Sequence, residues 1–200
     1  MDVRDLLLSA LNFWFLAAGY SVIVVFFVVQ RFLRRTSGAR SMRGGTYDRG
    51  NMVLIGAATG VGLWVPIVFD FFGTGYVQIG VGPLLAALAV MLVGLWLRLW
   101  AAITLGSYYT TTLMMTKGQR VVSAGPYSRI RHPGYLGEIL IWTGLGVLSS
   151  NLIAAVWLPV MFVAVLVYRI SSEEKMLTKE LGDDYVRYKQ RTRRLVPFMY

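Results

Sequence analysis

Long apolar runs alternate with short polar connections along most of this 200-residue chain. Three runs, at about 6–29, 52–69 and 81–105, are each long enough for a helix that crosses a hydrocarbon core, which needs roughly 20 residues. A fourth apolar stretch, 135–170, is too long for one crossing and is interrupted by Ser-Ser-Asn at 149–151. We therefore expect a tight helical hairpin there, with two short arms, and five membrane crossings in all.

The pattern changes after Arg169, where charged residues surround apolar ones at roughly helical spacing. This spacing predicts an amphipathic helix that lies against the membrane or against the polar segment 106–134. The apolar positions are Met176, Leu177, Leu181, Tyr185 and Tyr188.

The predicted fold class is therefore an all-α integral membrane protein with about five transmembrane helices, a C-terminal helical hairpin and a cytosolic amphipathic C-terminal helix. We expect a single domain over 1–200, with three helices in 1–105 and the polar segment, the hairpin and the last helix in 106–200. No predicted strand leads into a glycine-rich turn, and we expect no Rossmann domain.

Composition supports a membrane protein, because 56% of the residues are hydrophobic and only 15% are charged, with a mean hydropathy of +0.58. The absence of cysteine excludes disulfides and thiolate metal ligands. The net charge of +10 would suit nucleic acid, but the basic residues lie between and after the apolar runs. Membrane lipids with anionic headgroups are the better partner, and we expect no nucleic-acid binding.

The distribution of basic residues also predicts the orientation. Arginines crowd the first loop and basic residues recur in 106–134, whereas the connection 70–80 is aromatic and contains no Lys or Arg. The positive-inside rule then places the N-terminus outside and the first loop, the segment 106–134 and the C-terminus in the cytoplasm. The opening "MDVRD" lacks a basic signal-peptide region, so the first helix is expected to be retained. The basic residues of the two loops are Arg31, Arg34, Arg35, Arg40, Arg43, Arg49, Lys117, Arg120, Arg129 and Arg131.

Several ionisable residues lie within or at the ends of the apolar runs, where exposure to lipid costs several kcal/mol. They are Arg98, Glu138, Arg169, Glu173 and Glu174. One interpretation is that they face a wet cavity inside the bundle. The alternative is that the arginines extend to the membrane surface and that Arg169 pairs with Glu173 one helical turn away.

The only histidine, His132, lies in "SRIRHPGYLGEI" at 128–139. A histidine before proline is often a polar turn residue, and a zinc site would need ligands that this chain lacks, so we expect no metal. Pro133 suits the first turn of a helix, whose free N–H groups would bind an anion. Taken alone, these residues predict a membrane protein with a polar pocket that faces the cytosol.

Two longer stretches, "VVSAGPYSRIRHPGYLGE" at 121–138 and "YRISSEEKMLTKELGDDYVRYKQRTRRLVPF" at 168–198, resemble the isoprenylcysteine carboxyl methyltransferase family and its phospholipid N-methyltransferase relatives. The shared features are a small-x-Tyr turn, Arg-His-Pro-x-Tyr-x-Gly, Glu-Glu, and a Gly-acidic-acidic-Tyr helix that ends near Pro-Phe. The segment "RLWAAITLGSYY" at 98–109 is also similar to the carboxyl methyltransferases. The motifs stand at 125–127, 131–137, 173–174, 182–185 and 197–198.

The resemblance implies methyl transfer from S-adenosyl-L-methionine, with S-adenosyl-L-homocysteine as product, to a lipophilic acceptor that enters from the bilayer. It places Arg98 and Arg169 at the acceptor carboxylate, while Glu138 is a candidate base for an amine acceptor or a partner of an arginine. The expected cofactor-pocket residues are Val121, Val122, Tyr127, Arg131, His132, Pro133, Tyr135, Gly137, Glu173 and Glu174.

Four functions remain open at this point. The first is carboxyl methylation of an isoprenylcysteine-like or other lipophilic acceptor, and the second is N-methylation of a phospholipid amine. The third is a lipid or sterol reductase that uses NADPH, for which a separate cluster for the 2'-phosphate is not evident. The fourth is a small transporter or scaffold. The sequence leaves the oligomeric state open.

Overall fold

The computed structural model describes residues 3–36, 48 and 50–195, and over these residues the protein is all-helical with only two isolated β-bridges. This confirms the predicted fold class. Short 3-10 turns at Gly106–Tyr108 and Gly125–Ser128 punctuate the polar segment between the third and fourth helices. The helices are α1 (Val3–Thr36), α2 (Asn51–Phe71), α3 (Val81–Leu105), α4 (Pro133–Leu148), α5 (Leu152–Leu181) and α6 (Asp183–Arg191).

Four helices of the described chain are long and apolar enough to cross a membrane, namely α1, α2, α3 and α5. The protein is therefore a multi-pass integral membrane protein. The bounds of α2 and α3 match the expected runs to within two residues, whereas α1 extends beyond 6–29 at both ends. Most of the arginine-rich first loop, together with Pro197 and Phe198, lies outside the described residues.

The hairpin predicted from the break at 149–151 is confirmed. Asn151 caps α5, since its side-chain oxygen accepts hydrogen bonds from the backbone N–H groups of Ile153 (3.0 Å) and Ala154 (3.2 Å). The turn lies against the connection between α2 and α3, where Val77 N–H donates to Ser150 O at 2.8 Å. With 16 residues, α4 is about 24 Å long, shorter than an ordinary crossing, so the count of five crossings stays a prediction.

The expected bounds of the second hairpin arm were wrong. A separate amphipathic helix was expected after Arg169, but α5 continues without a break from Leu152 to Leu181. The hydroxyls of Ser171 and Ser172 donate to carbonyls of the preceding helical turn, so these residues do not compete with the helix. The helix ends instead at Gly182, whose positive φ of 57° suits a residue without a Cβ. The amphipathic segment is thus the last turns of α5 followed by α6.

Helices α3 and α4 approach each other closely because glycines face each other at their contact. A Cβ added to Gly137 would lie 2.5 Å from the carbonyl oxygen of Gly94, and one added to Gly144 would clash with Cγ of Met91. Small residues at such contacts let two backbones pack directly in a membrane. The contact also brings the residues that flank these glycines, Arg98 on α3 and Glu138 on α4, within reach of each other.

Replacing Gly137 with alanine is therefore expected to lower the free energy of unfolding by about 1–3 kcal/mol, the usual cost of overpacking a tight contact. The measurement is the thermal unfolding midpoint of detergent-purified protein. Gly60→Ala is the matched control, because Gly60 is also helical but a Cβ there meets no heavy atom within 4 Å; it should be neutral or slightly stabilising. An equal response of the two variants would contradict the packing role of Gly137.

Candidate active site

A cavity of about 350 Å³ lies at one end of the helix bundle, within the size range of small-molecule sites. Its walls come from the C-terminal parts of α1, α3 and α5 and from the N-terminal parts of α2 and α4, and α6 covers it together with the segment between α3 and α4. The α1 and α2 walls are largely apolar, with Phe26, Phe27, Met52 and Ile55. The other walls carry six charged side chains: Arg98, Arg120, Arg131, Glu138, Arg169 and Glu173.

Arg98 forms an ion pair with Glu138 across the contact between α3 and α4. Its Nη1 lies 2.9 Å from Oε2 of Glu138 and donates to the carbonyl oxygen of Gly134 at 3.0 Å. The two side chains are only 14% and 6% exposed, and a buried charge needs such compensation. Of the two interpretations that the sequence left open for Glu138, the structure shows the arginine partner.

Arg169 lies on α5 and is only 3% exposed. Its Nε donates to the hydroxyl of Tyr135 at 2.7 Å, and its Nη2 donates to the carbonyl oxygen of Thr111 at 2.6 Å. Nη1 is buried without a hydrogen-bond partner among the described residues. No described carboxylate lies within ion-pair distance of Arg169, so the alternative interpretation, in which Arg169 pairs with Glu173 one turn away, is wrong. Arg169 is thus a buried cation with an unused donor.

Tyr135 connects Arg169 to Glu173. While it accepts from Arg169, its hydroxyl donates to Oε2 of Glu173 at 2.6 Å. Glu173 is the more open of the two neighbouring glutamates, with a side chain 25% exposed, and it lines the cavity. Arg169, Tyr135 and Glu173 therefore form one hydrogen-bonded chain along the cavity wall, with a cation at one end and a carboxylate at the other.

Glu174 has a different environment, because it points into a cluster of basic groups beside the cavity. Its Oε1 accepts from Nε of Arg131 at 2.7 Å and lies 3.3 Å from Nε2 of His132, while its Oε2 accepts from Nε of Arg194 at 3.1 Å. The side chain is 3% exposed and does not line the cavity. Glu174 therefore compensates the charge of basic residues that come from two distant parts of the chain.

The chain after α6 is held against the segment before α4 by these ion pairs and by backbone hydrogen bonds. Arg131 N–H donates to Arg193 O at 2.7 Å and His132 N–H donates to Arg194 O at 3.1 Å. The guanidinium of Arg131 also donates to the carbonyl oxygens of Lys189 and Thr192. We call residues 192–195 the C-terminal strap. The strap fixes α6 as the cover of the cavity.

Most of the residues predicted from the sequence meet at this cavity, but three do not line it. Pro133 begins α4 and is buried, Gly137 packs against α3, and Glu174 binds the basic cluster. The predicted residues that line the cavity are Arg98, Glu138, Arg169, Val121, Val122, Tyr127, Arg131, His132, Tyr135 and Glu173.

Other lining residues were not predicted as site residues. Gln30 reaches the cavity from α1, and Tyr109 from the segment after α3. A single buried glutamine in "FFVVQRF" was the available signal, because a polar side chain in an apolar helix usually has a partner inside the protein. Tyr185 and Tyr188 were expected only as the apolar face of an amphipathic helix, yet they also line the cavity. Burial raises the pKa of both phenols and that of Tyr127, so all three stay neutral at neutral pH.

The fold and the cavity define a class of protein, a polytopic all-α membrane protein with an enclosed polar site at one end of the bundle. Residues 86–179 match the isoprenylcysteine carboxyl methyltransferase family. This match confirms the resemblance over that segment. The segment contains most of the site residues described above but ends before α6 and the C-terminal strap.

Similar proteins include protein-S-isoprenylcysteine O-methyltransferase B of Arabidopsis thaliana, which is 35% identical over 56% of this chain and 58% of its own length. The uncharacterized protein YpbQ of Bacillus subtilis is 30% identical over 40% of this chain and 48% of its own length. The chain thus aligns with only about half the length of these curated relatives.

The fold is shared with a solved structure of the eukaryotic intramembrane Ras methyltransferase ICMT, an isoprenylcysteine carboxyl methyltransferase. The TM-score is 0.69 at 19% sequence identity, over 94% of this chain and 68% of the other. The similarity in fold therefore extends over α1 and α2, which lie outside the stretches that carry the sequence resemblance.

Proposed function

We propose that this protein is an S-adenosyl-L-methionine-dependent membrane methyltransferase that methylates the carboxylate of a lipophilic, isoprenylcysteine-like acceptor. The observation that carries the proposal is Arg169, a buried cation with an unpartnered Nη1 on the wall of a cavity whose other side is apolar. A buried charge without a carboxylate partner is costly. A lipophilic carboxylate would suit both sides of the cavity: its anionic head group would pair with Arg169, and its hydrocarbon tail would contact the apolar wall.

The lining residues also fit the cofactor. Glu173 is a partly open carboxylate suited to an amino group or to ribose hydroxyls, and Val121 and Val122 form an apolar surface suited to adenine. The ring of His132 and the N-terminal turn of α4, which line the cavity, could donate hydrogen bonds to the methionine carboxylate. Bound there, S-adenosyl-L-methionine supplies a methyl group on a sulfonium, which passes to the acceptor oxygen and leaves S-adenosyl-L-homocysteine.

The protein's own contribution is to hold and to enclose the reactants. A carboxylate is already a nucleophile, so no base is needed, and alignment with removal of water provides most of the acceleration. Arg169 holds the acceptor carboxylate, and its link through Tyr135 to Glu173 couples the acceptor and cofactor parts of the cavity. The cover formed by α6 and the strap limits the access of water.

The lipid tail is proposed to enter between α1 and α2. Helix α1 packs on α3 and α4, whereas α2 packs on α5, and side chains of both α1 and α2 line the cavity. Phe27 belongs to this wall and is 40% exposed, so the wall is continuous with the lipid-facing surface. In this proposal the covered end of the bundle faces the cytoplasm and the N-terminus lies outside, as the positive-inside rule predicts.

N-methylation of a lipid amine is less well supported by the site. An amine must be neutral to react, and it needs a base to accept its proton. Glu138, the candidate base, is already bound to Arg98. The environment of Glu138 therefore favours a carboxylate acceptor.

The first test is calorimetric binding of S-adenosyl-L-homocysteine to detergent-purified protein. We expect micromolar affinity for the wild type and about tenfold weaker binding for Glu173→Gln, which corresponds to about 1.4 kcal/mol. The matched control is Glu180→Gln, since Glu180 lies on the same helix but is exposed, and it should bind as the wild type does. Binding of NADPH in place of S-adenosyl-L-homocysteine would favour a reductase. Binding of neither ligand would favour a transporter or scaffold.

A further inference from the structure

Two side chains of α1, one helical turn apart, contact the guanidinium of Arg98. The guanidinium carbon of Arg98 lies 5.3 Å from the ring centroid of Phe26, a distance at which a cation and an aromatic ring attract each other. Gln30 lies four residues further along α1, on the same face, and is 9% exposed. Both residues lie outside the segment 86–179 that matches the family.

The amide of Gln30 is satisfied when its oxygen faces Arg98. In that orientation the oxygen accepts from Nε of Arg98 at 2.8 Å and from Nη2 at 2.5 Å, and the amide nitrogen donates to the hydroxyl of Tyr109. A buried amide costs free energy unless it is hydrogen-bonded. Gln30 therefore has a specific binding partner in Arg98 rather than a space-filling role.

These contacts leave Arg98 little freedom. Nη1 donates to Glu138 and to the carbonyl oxygen of Gly134, and Nε and Nη2 donate to the side-chain oxygen of Gln30. A guanidinium has five N–H groups, so one N–H on Nη2 remains after these bonds. The plane of the group is fixed from three helices, α1, α3 and α4. Arg98 nevertheless lines the cavity, so its orientation determines which donor the cavity presents.

We propose that Gln30, with Phe26, is a positioning residue that orients Arg98 toward the head group of the acceptor. This inference rests on the proposed function, because it assigns α1 a part in recognition of the same acceptor. Helix α1 then contributes to the site in two ways, through an apolar wall for the tail and through Gln30, which aims an arginine at the head.

The test compares Gln30→Met, which keeps the side-chain length but removes the hydrogen bonds, with Arg98→Lys and with the double variant. The probe is N-acetyl-S-farnesyl-L-cysteine, and the readouts are kcat/KM for this acceptor and the Kd for S-adenosyl-L-homocysteine. Gln30→Met should lower kcat/KM about tenfold and change the Kd less than twofold. Because Gln30 acts through Arg98, the double variant should be no worse than Arg98→Lys alone. Independent, multiplying losses would overturn the proposal.

Two controls separate the contributions. Tyr109→Phe removes only the hydrogen bond on the other side of the amide and should have a smaller effect than Gln30→Met. Ser21 also lies on α1, where its exposed hydroxyl donates to the carbonyl oxygen of Ala17. Ser21→Ala should therefore have the activity of the wild type. Equal activity of Gln30→Met and Ser21→Ala would overturn the positioning role.

Thermal unfolding midpoints test the contact between Gln30 and Arg98 without relying on an acceptor. They are measured for the wild type, Gln30→Met, Arg98→Lys and the double variant. Gln30→Met should lower the midpoint in the Arg98 background and have little further effect in the Arg98→Lys background. If the wild type binds S-adenosyl-L-homocysteine but methylates no prenylcysteine, the proposed acceptor is wrong. In that case the midpoints still decide whether Gln30 acts through Arg98. If the midpoint shifts of the two single variants add up in the double variant, the positioning role of Gln30 is overturned.

Discussion

Replacing Arg169 with glutamine is expected to lower kcat/KM for a prenylcysteine carboxylate at least a hundredfold. The variant removes the cation and the unpartnered Nη1 that we assign to the acceptor carboxylate. Truncating one partner of a buried, hydrogen-bonded charge pair costs 2–5 kcal/mol, and about 2.7 kcal/mol is a factor of one hundred in rate. The measurement is steady-state methyl transfer with N-acetyl-S-farnesyl-L-cysteine at saturating S-adenosyl-L-methionine.

Arg187→Gln is the matched control for Arg169→Gln. Arg187 is an exposed arginine on α6, paired with Asp184, and its side chain is 62% exposed. Its replacement should leave kcat/KM unchanged, since exposed pairs contribute little. If Arg169→Gln kept its activity within threefold of the wild type while binding of S-adenosyl-L-homocysteine was intact, the acceptor would not be an anion held by Arg169. An amine acceptor would then have to be reconsidered.

Replacing Glu174 with glutamine is expected to destabilise the protein by about 3 kcal/mol, because breaking a buried ion pair leaves its partners uncompensated. Arg131, whose side chain is 8% exposed, and His132, at 4%, would lose their shared carboxylate. The unfolding midpoint should fall by roughly 6–12 °C. Thermal unfolding in detergent, followed by circular dichroism, measures the shift.

Glu173→Gln provides the control for Glu174→Gln, since it makes the same chemical change one residue earlier on α5. The more exposed Glu173 should affect cofactor binding and leave the midpoint close to that of the wild type. A Glu174→Gln protein with an unchanged midpoint but no binding of S-adenosyl-L-homocysteine would contradict the structural role. It would instead support the direct cofactor contact that the family resemblance implies.

The polar residues in the apolar runs indicated where the site would form, but they predicted only some of its ion pairs and hydrogen bonds. Charges in an apolar run are costly enough that Arg98, Glu138 and Arg169 had to face the interior or the membrane surface. Which of these groups pair depends on distances between helices. Gly94 and Gly137 bring α3 and α4 together, and this contact pairs Glu138 with Arg98 while Arg169 keeps an unused donor.

The family motif made Glu173 and Glu174 equivalent, whereas the structure separates them. Adjacent residues of a helix point about 100° apart, so one glutamate faces the cavity and the other faces the basic cluster. The position of the C-terminal strap determines which of the two glutamates faces the basic cluster. That strap lies 20 residues beyond Glu174 at Arg194, and no local pattern determines where it returns.

The sequence by itself determined the membrane class, the bounds of α2 and α3 and the turn of the hairpin, because length, hydropathy and turn chemistry are local properties of the chain. It did not predict the unbroken course of α5, since charged residues after Arg169 change the solvent-facing pattern without interrupting a helix. Only the tertiary structure brought Gln30 of α1 to Arg98 and the strap to Glu174. Such contacts join residues 20 to 68 positions apart, and the packing of helices alone decides which of them meet.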